Sequence, residues 1–224
     1  MKSKLSIIPI FAVLMFVSFQ SPAFAYDKEI QLSDFVDWSY EHHIYLIGIN
    51  KSSEYLKENG YNPYLDRISL AEVPNLDKLL DTITNLPDTV VDSLHGKTIY
   101  ISTENGRGLA IPEQGLIENI NPGFIIEQDI NKYYIIHEIG HIVYHTLPQP
   151  ELFSIDYSNI VQYEDRPAGF VTYYSLVNKH ENFAEHFSYY VVRSQEFRDM
   201  ATQDKLLDSK YNFLKYNVFD GIEY

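Results

Sequence analysis

The strongest chemical signal in the sequence is an HExxH pattern formed by His137, Glu138 and His141. The two histidines stand four positions apart, so in a helix their imidazoles project from one side, about one turn apart. That spacing supplies two ligands of a tetrahedral zinc site. Glu138 would lie beside the metal, where a carboxylate can take a proton from water and return it to a leaving amine. The pattern predicts zinc-dependent hydrolysis of an amide bond.

The alternative interpretation is an ordinary helix with two surface histidines and a solvated glutamate. A second segment further along the chain, 181–185, argues against it. Glu181 and Glu185 share one helix face, and Ala184 between them leaves room for another helix. One of the two carboxylates can complete the metal site, and the other can orient a ligand imidazole by accepting its N–H. Taken alone, a glutamate pair on a helix would indicate only a solvated face.

His145 repeats the four-residue spacing after His141, but its position drifts round the helix. If His145 were the third ligand, Glu181 and the helix that contains it would have no role at the metal site. We therefore expect His145 beside the ligands or on the surface.

The elements that must position these residues follow from the periodicity of apolar side chains. Ile135, Ile139 and Ile142 fall on one stripe and predict that the HExxH helix lies in the core. The fold class expected is α+β, mostly helical, with a small sheet before the active-site helix. Helices are predicted over 34–49, 75–86, 88–94, 131–147, 179–192, 194–202 and 209–218, and strands over 97–102, 109–111 and 124–126.

The first 25 residues have the pattern of a secretory signal peptide. Lys2 and Lys4 form a basic start, an apolar run covers 5–19, and Ala23-Phe24-Ala25 resembles a cleavage site. A membrane anchor is the alternative, but the apolar run is shorter than the roughly 20 residues of a bilayer span. We expect a secreted, extracellular product that begins at Tyr26 and has no membrane partner after cleavage.

Composition limits the remaining possibilities. The chain has no cysteine, so its stability must come from a packed core and not from disulfides. We expect a single metallopeptidase domain over 26–224, with a helical part over 26–95 and a catalytic part over 96–224, acting as a monomer. The formal net charge of -14 repels phosphate backbones and makes nucleic acid an unsuitable partner.

A combination of motifs makes a family resemblance specific. The combination is His137-Glu138-x-x-His141, Glu181-x-Phe183-Ala184-Glu185-x-Phe187, a tyrosine shortly before the second motif, and a closing Tyr211-Asn212-Phe213-Leu214. It resembles the anthrax-lethal-factor-like metallopeptidases, which include the toxin's catalytic domain and the small secreted Pro-Pro endopeptidases. The resemblance covers about the last 90 residues and, more loosely, 87–102. Chain size and the signal peptide are similar to those of the secreted peptidases.

The resemblance implies a zincin-like catalytic domain that holds one Zn²⁺ per chain. Matched motif by motif, the zinc ligands fall on His137, His141 and Glu181, with Glu138 as the general base. Glu185 falls on the position that orients a ligand from outside the coordination sphere.

The resemblance also implies residues that face the substrate. A tyrosine seven positions before the glutamate ligand, here Tyr174, would donate to the oxyanion; without the family it would be one more packed tyrosine. The strand Gly108-Leu109-Ala110-Ile111 would pair with an extended peptide. His180 stands where some Pro-Pro endopeptidases carry an acidic residue near the substrate. The only tryptophan, Trp38, lies far upstream of the substrate-facing strand, which leaves cleavage between prolines open.

The function expected is that of a secreted zinc metalloendopeptidase that hydrolyses extracellular proteins, with proline-rich sites among the candidates. A toxin-type protease acting in host cells is one alternative. A module that binds zinc or peptide without catalysis is another.

Overall fold

The structure is a computed structural model, and it describes residues 32–52, 67–73, 76–104, 108–111, 123–126, 132–147, 151–160 and 166–224. The signal peptide predicted over 1–25 lies outside these ranges. In the described part of the chain, no helix combines the length and the apolar character that a membrane crossing requires.

The described chain is mostly helical with a mixed sheet, which agrees with the α+β class. The helices are α1 (Leu32–Glu41), α2 (Leu76–Thr84), α3 (Asp88–Asp92), α4 (Lys132–Thr146), α5 (Lys179–Val192), α6 (Ser194–Ala201) and α7 (Lys205–Asn217). The strands are β1 (Tyr45–Ile49), β2 (Arg67–Ile68), β3 (Thr98–Ser102), β4 (Leu109–Ile111) and β5 (Gly123–Ile126). Short 3-10 turns occupy Leu70–Glu72, Glu151–Phe153, Tyr157–Asn159 and Tyr174–Leu176.

The sheet precedes the HExxH helix, as predicted, and its strand order is β2-β1-β3-β5-β4. The three central strands β1, β3 and β5 run parallel, whereas β2 and β4 pair antiparallel at the two edges. All five residues of β3 are buried, as expected of a central strand covered on both faces. The edge strand β4 and its neighbour β5 pack against α4. One edge of the sheet therefore lies against α4, the helix that contains His137, Glu138 and His141.

The prediction of one helix over 34–49 is wrong in its second half. Helix α1 ends at Glu41, and His43 adopts a left-handed conformation with φ of 54°. Tyr45–Ile49 then pairs with β3 over its whole length, and the end of this short apolar run, Gly48 and Ile49, is buried. The region 26–95 is consequently not helical throughout, since it contributes β1 and β2 to the sheet.

Helices α4 and α5 pack closely because the residues at their contact are small. A Cβ at Gly140 would lie 3.0 Å from the Cα of Ala184 and 3.3 Å from the side chain of Phe187. Ile139 and Phe183, which flank this contact, are fully buried. The backbones can approach this far only with glycine on α4, which explains a residue that is otherwise unfavourable inside a helix.

A buried polar network fastens α7 to α5. The Nζ of Lys210, on α7, donates to the carbonyl of Gly169 at 2.6 Å and to Oδ1 of Asn182, on α5, at 3.0 Å. Asp204 caps α7 and accepts from the backbone N–H of Gly169 at 2.7 Å and from Arg166 at 3.0 Å. Buried polar groups are stable where each has a hydrogen-bond partner. The bonds of Lys210 and Asp204 therefore fix the 166–170 segment between the two helices.

Replacing Lys210 by methionine removes the donor to two buried acceptors while it keeps the length of the side chain. We expect Lys210→Met to lower the free energy of unfolding by about 2–4 kcal/mol, because both acceptors lose the hydrogen bond from Lys210. Guanidinium unfolding would measure this as a lower midpoint at an unchanged slope. Lys205→Met, at an exposed position on the same helix, is the control and should change stability by less than about 0.5 kcal/mol. Equal effects of the two substitutions would contradict this role of Lys210.

Candidate metal centre

Three side chains from two helices converge on one point. On α4, Nε2 of His137 lies 3.1 Å from Nε2 of His141. Oε2 of Glu181, on α5, lies 3.0 Å from the first nitrogen and 3.3 Å from the second. Among the described residues, these three form the group whose ligand atoms are close enough to hold one metal ion.

The triangle of ligand atoms fits a tetrahedral zinc. Ligand atoms at about 2.0–2.1 Å from zinc lie about 3.3 Å from one another when the geometry is tetrahedral. The distances of 3.0, 3.1 and 3.3 Å between the three atoms are close to this value. The side chains of His137, His141 and Glu181 keep 10%, 12% and 17% of their surface exposed, so the site is mostly buried but not closed off from solvent. Three protein ligands with an open fourth position are typical of catalytic zinc sites, whereas structural sites are closed by four.

The N-terminus of α5 places Glu181. Asn178 caps the helix, and its side chain accepts from the backbone N–H groups of His180 and Glu181 at 2.8 and 3.0 Å. The cap fixes the first turn of α5, and from this turn the Glu181 side chain points toward His137 and His141 on α4. The predicted start and end of this helix, 179–192, are confirmed.

Glu185 lies on the other side of His137. Its Oε1 is 3.0 Å from Nδ1 of His137, so the carboxylate accepts from one ring nitrogen and leaves Nε2 directed at Glu181. Tyr133, one turn before His137 on α4, also hydrogen-bonds to Glu185. Such a carboxylate fixes the tautomer and the orientation of a ligating imidazole. The two glutamates therefore differ in position: Glu181 faces the point of convergence, and Glu185 supports the imidazole from behind.

Glu138 is buried between α4 and the edge of the sheet. It is 7% exposed, which does not fit the solvated surface helix considered as the alternative. The backbone N–H of Ala110, on β4, donates to its carboxylate. Burial raises the pKa of Glu138, and the neighbouring His141 and His137 oppose that rise. The carboxylate is thus held by the sheet at the edge of the metal centre.

Gly108 is in direct contact with Glu138. A Cβ at this position would lie 2.7 Å from Cγ and 2.8 Å from Cδ of the Glu138 side chain. A residue larger than glycine would displace the carboxylate or the strand. Because the N–H of Ala110 is directed at Glu138, the outer edge of β4 faces the metal centre. Gly108, Leu109 and Ala110, predicted to contact a substrate, are half-buried at this edge.

Tyr174 lies beside His137 at the surface of the protein. Its side chain is 51% exposed, and its ring centroid lies 6.0 Å from that of His137. It begins the 3-10 turn Tyr174–Leu176, which packs against α5. The structure therefore brings this predicted residue beside the metal centre, with its ring accessible from solvent.

His180 and His145 lie together at one side of the site. Their rings stack with centroids 5.2 Å apart, and His180 also packs edge-on against Tyr144 at 4.8 Å. Burial lowers the pKa of His180, and the neighbouring His145 and Lys179 lower it further. His180 is next to Glu181 in the chain but does not contribute to the ligand triangle, so its predicted contact with substrate stays a prediction.

Two residues that support the site were not predicted. Tyr133 precedes His137 by four positions, so the helical spacing that grouped the histidines could have found it. Thr172 hydrogen-bonds to Glu185 at 2.5 Å, but it lies in a stretch without periodicity and nothing in its surroundings marks it.

No protein-family model matches the sequence, and no curated protein matches it. The arrangement of side chains is therefore the observation on which a functional assignment depends.

The electrostatics of the ligands indicate how the site takes up a metal. Burial opposes protonation of His137, but hydrogen bonds to Glu181 and Glu185 outweigh it and raise the pKa of His137 to about 9. Burial also opposes ionisation of Glu181, yet the bonds to His137 and His141 lower its pKa to about 2. Before a metal binds, His137 is thus a cation at neutral pH and Glu181 is an anion.

Zinc binding should therefore release a proton from His137, because a ligating imidazole must be neutral. We expect about one proton per zinc at pH 7 and a falling release as the pH rises through 9, where His137 is already deprotonated. Isothermal titration calorimetry in two buffers of different ionisation enthalpy measures the number.

Glu185→Gln is the matched variant. It keeps the shape of the side chain but removes a charge that raises the pKa of His137, so it should release fewer protons at pH 7. Glu151→Gln, at an exposed position, should behave like the wild type. A wild-type protein that binds zinc without releasing protons would contradict the assignment of His137 as a ligand.

Proposed function

We propose that the chain is a secreted zinc metalloendopeptidase. The observation that carries the proposal is the ligand triangle of His137, His141 and Glu181, which is not closed off from solvent and is flanked by the buried carboxylate of Glu138. A zinc ion held there would polarise a carbonyl and lower the pKa of water. The proposal includes a zincin-like catalytic domain over 26–224, one zinc per chain, a monomer, and membership of the anthrax-lethal-factor-like metallopeptidases.

Glu138 is the general base in this proposal. Its carboxylate accepts a proton from the attacking water and returns it to the leaving amine, a role typically worth about 10²–10⁴-fold in rate. Its position supports the role, since Ala110 and Gly108 hold it at the rim of the metal centre. A glutamate fixed from the sheet side does not have to be reoriented during turnover.

Tyr174 is the proposed donor to the oxyanion. Its ring lies beside His137 and is accessible, so its phenol can reach a substrate carbonyl that approaches the open side of the ligand triangle. A donor in that position stabilises the charge that develops on the carbonyl oxygen as water adds.

The proposed substrate is an extended segment of an extracellular protein. Strand β4 ends the described sheet next to Glu138, which supports pairing of a peptide with the backbone groups of Gly108–Ile111 other than the Ala110 N–H that Glu138 uses. A peptide in that place would pass the ligand triangle with its backbone extended. Proline-rich sequences are one class of site to examine, because the family resemblance includes the Pro-Pro endopeptidases.

A Glu138→Gln variant tests the proposal directly. We expect it to bind one zinc per chain like the wild type and to lose turnover by at least about 10²-fold, because the amide cannot accept the proton. Digestion of a proteome-derived peptide library with both proteins, followed by mass spectrometry of the new termini, measures activity and site preference together.

A wild-type protein that binds zinc but cleaves nothing in the library would contradict the peptidase proposal and favour a binding module. Equal cleavage by the wild type and the variant would contradict the role of Glu138.

Gly108→Ala should separate the position of Glu138 from its chemistry. The added methyl group would displace the Glu138 carboxylate, so we expect kcat to fall by at least about tenfold, since small displacements of a catalytic group are costly. Zinc affinity should not change, because the three atoms nearest to the added Cβ all belong to Glu138 and not to a proposed ligand. Ala110→Ser, which keeps the backbone N–H donor on the same strand, is the control. Full activity of Gly108→Ala would show that the contact with Glu138 does not matter for turnover.

A further inference from the structure

The carboxylate of Glu185 has a second partner besides His137. Its Oε1 lies 3.0 Å from Nδ1 of His137, and its Oε2 lies 2.5 Å from the hydroxyl of Thr172. The hydroxyl of Thr172 is the donor in this bond, and the carboxylate accepts from His137 through its other oxygen.

The direction of that bond determines the next one. A threonine hydroxyl has a single proton, and here it is used on Glu185. The oxygen of Thr172 can therefore only accept from Ser175, whose backbone N lies 3.2 Å away and whose Oγ lies 3.1 Å away. One hydroxyl thus connects the metal centre to the backbone three residues further along the chain.

The segment enclosed by these bonds is the turn that carries Tyr174. Thr172 accepts from the amide of Ser175 in the manner of a cap, and the N–H of Val177 closes the turn on the carbonyl of Tyr174 at 3.0 Å. Ser175 is fully buried, whereas Tyr173 and Tyr174 are about half exposed. The backbone bonds of the turn therefore determine where the side chain of Tyr174 leaves the chain.

We propose that Thr172 is a positioning residue that couples Tyr174 to the metal centre through Glu185 and His137. The proposal rests on the proposed function, because it assigns Tyr174 a part in turnover. Thr172 does not reach the ligand triangle itself. It fixes the position of the Tyr174 turn relative to the imidazole of His137, because the carboxylate of Glu185 accepts from both Thr172 and His137.

A purely structural role predicts a different outcome. If Thr172 only satisfied a buried carboxylate, its loss would lower stability without a selective effect on kcat. If it acts through Tyr174, its loss should matter only where the Tyr174 hydroxyl is present. A double-mutant cycle separates the two possibilities.

The experiment uses the zinc-loaded protein and the variants Thr172→Val, Thr172→Ser, Tyr174→Phe and Thr172→Val/Tyr174→Phe. Thr172→Val keeps the shape without the hydroxyl and should lower kcat about 10- to 100-fold, because the Tyr174 turn loses its fixed position. KM and the zinc dissociation constant should stay within about threefold of the wild type. Thr172→Ser keeps the hydroxyl and should retain kcat within about threefold. In the Tyr174→Phe background, Thr172→Val should cost less than about threefold.

Fully multiplicative effects of Thr172→Val and Tyr174→Phe would overturn the proposal, and so would a Thr172→Ser variant as slow as Thr172→Val. Amide exchange of Ser175, followed by NMR, tests the connection without reference to activity. Exchange should be faster in Thr172→Val by at least about tenfold and unchanged in Thr172→Ser. Unchanged exchange in Thr172→Val would overturn the connection itself. A wild type without turnover would remove the proposed function and the catalytic part of this inference, while the exchange result would still decide whether Thr172 fixes the turn.

Discussion

The close contact of α4 with α5 is the constraint on which the candidate site depends. At Gly140 the helices are so close that an added Cβ would lie 3.0 Å from the Cα of Ala184, and fully buried aromatic and aliphatic side chains surround the contact. Because the helices approach this far, a glutamate in the first turn of one reaches two histidines in the middle of the other. Helix packing therefore brings the three side chains together, the bond to Glu185 orients the imidazole of His137, and the cap at Asn178 sets where the second helix begins.

The same contact concentrates negative charge. Glu138 and Glu181 interact with both His137 and His141, Glu185 interacts with His137, and burial opposes ionisation of each carboxylate. Three carboxylates in one partly buried place are costly unless cations or hydrogen bonds compensate them. Protonated imidazole provides part of that compensation, and a divalent cation would provide more. Charge balance and geometry thus point in the same direction, toward a bound metal ion.

Much of this arrangement could be predicted from the sequence because it depends on short-range spacing. The i, i+4 histidines, the glutamate pair on the later helix and the small residues at their contact are all properties of single helices. The sequence spacing left open which glutamate faces the metal, because Glu181 and Glu185 share a face. The structure distinguishes the two glutamates: Glu181 contacts Nε2 of both histidines, whereas Glu185 contacts Nδ1 of His137.

What could not be predicted depends on contacts between distant segments. The strand at Tyr45–Ile49 forms by pairing with β3, which is distant in sequence. Local periodicity does not report such a partner, and it predicted a helix there. The contact of Gly108 with Glu138 joins residues that are 30 positions apart, and the bond from Thr172 to Glu185 begins in an irregular stretch. Neither has a periodic signature, because each depends on where the fold places a loop or an edge strand.

A crystal structure of the zinc-loaded protein, with anomalous scattering at the zinc edge, shows whether the two helices together form one zinc site. We expect one anomalous peak per chain, at about 2.0–2.2 Å from Nε2 of His137, Nε2 of His141 and Oε2 of Glu181. A peak at another place, or full zinc loading with Glu181 beyond bonding distance of the ion, would contradict this expectation.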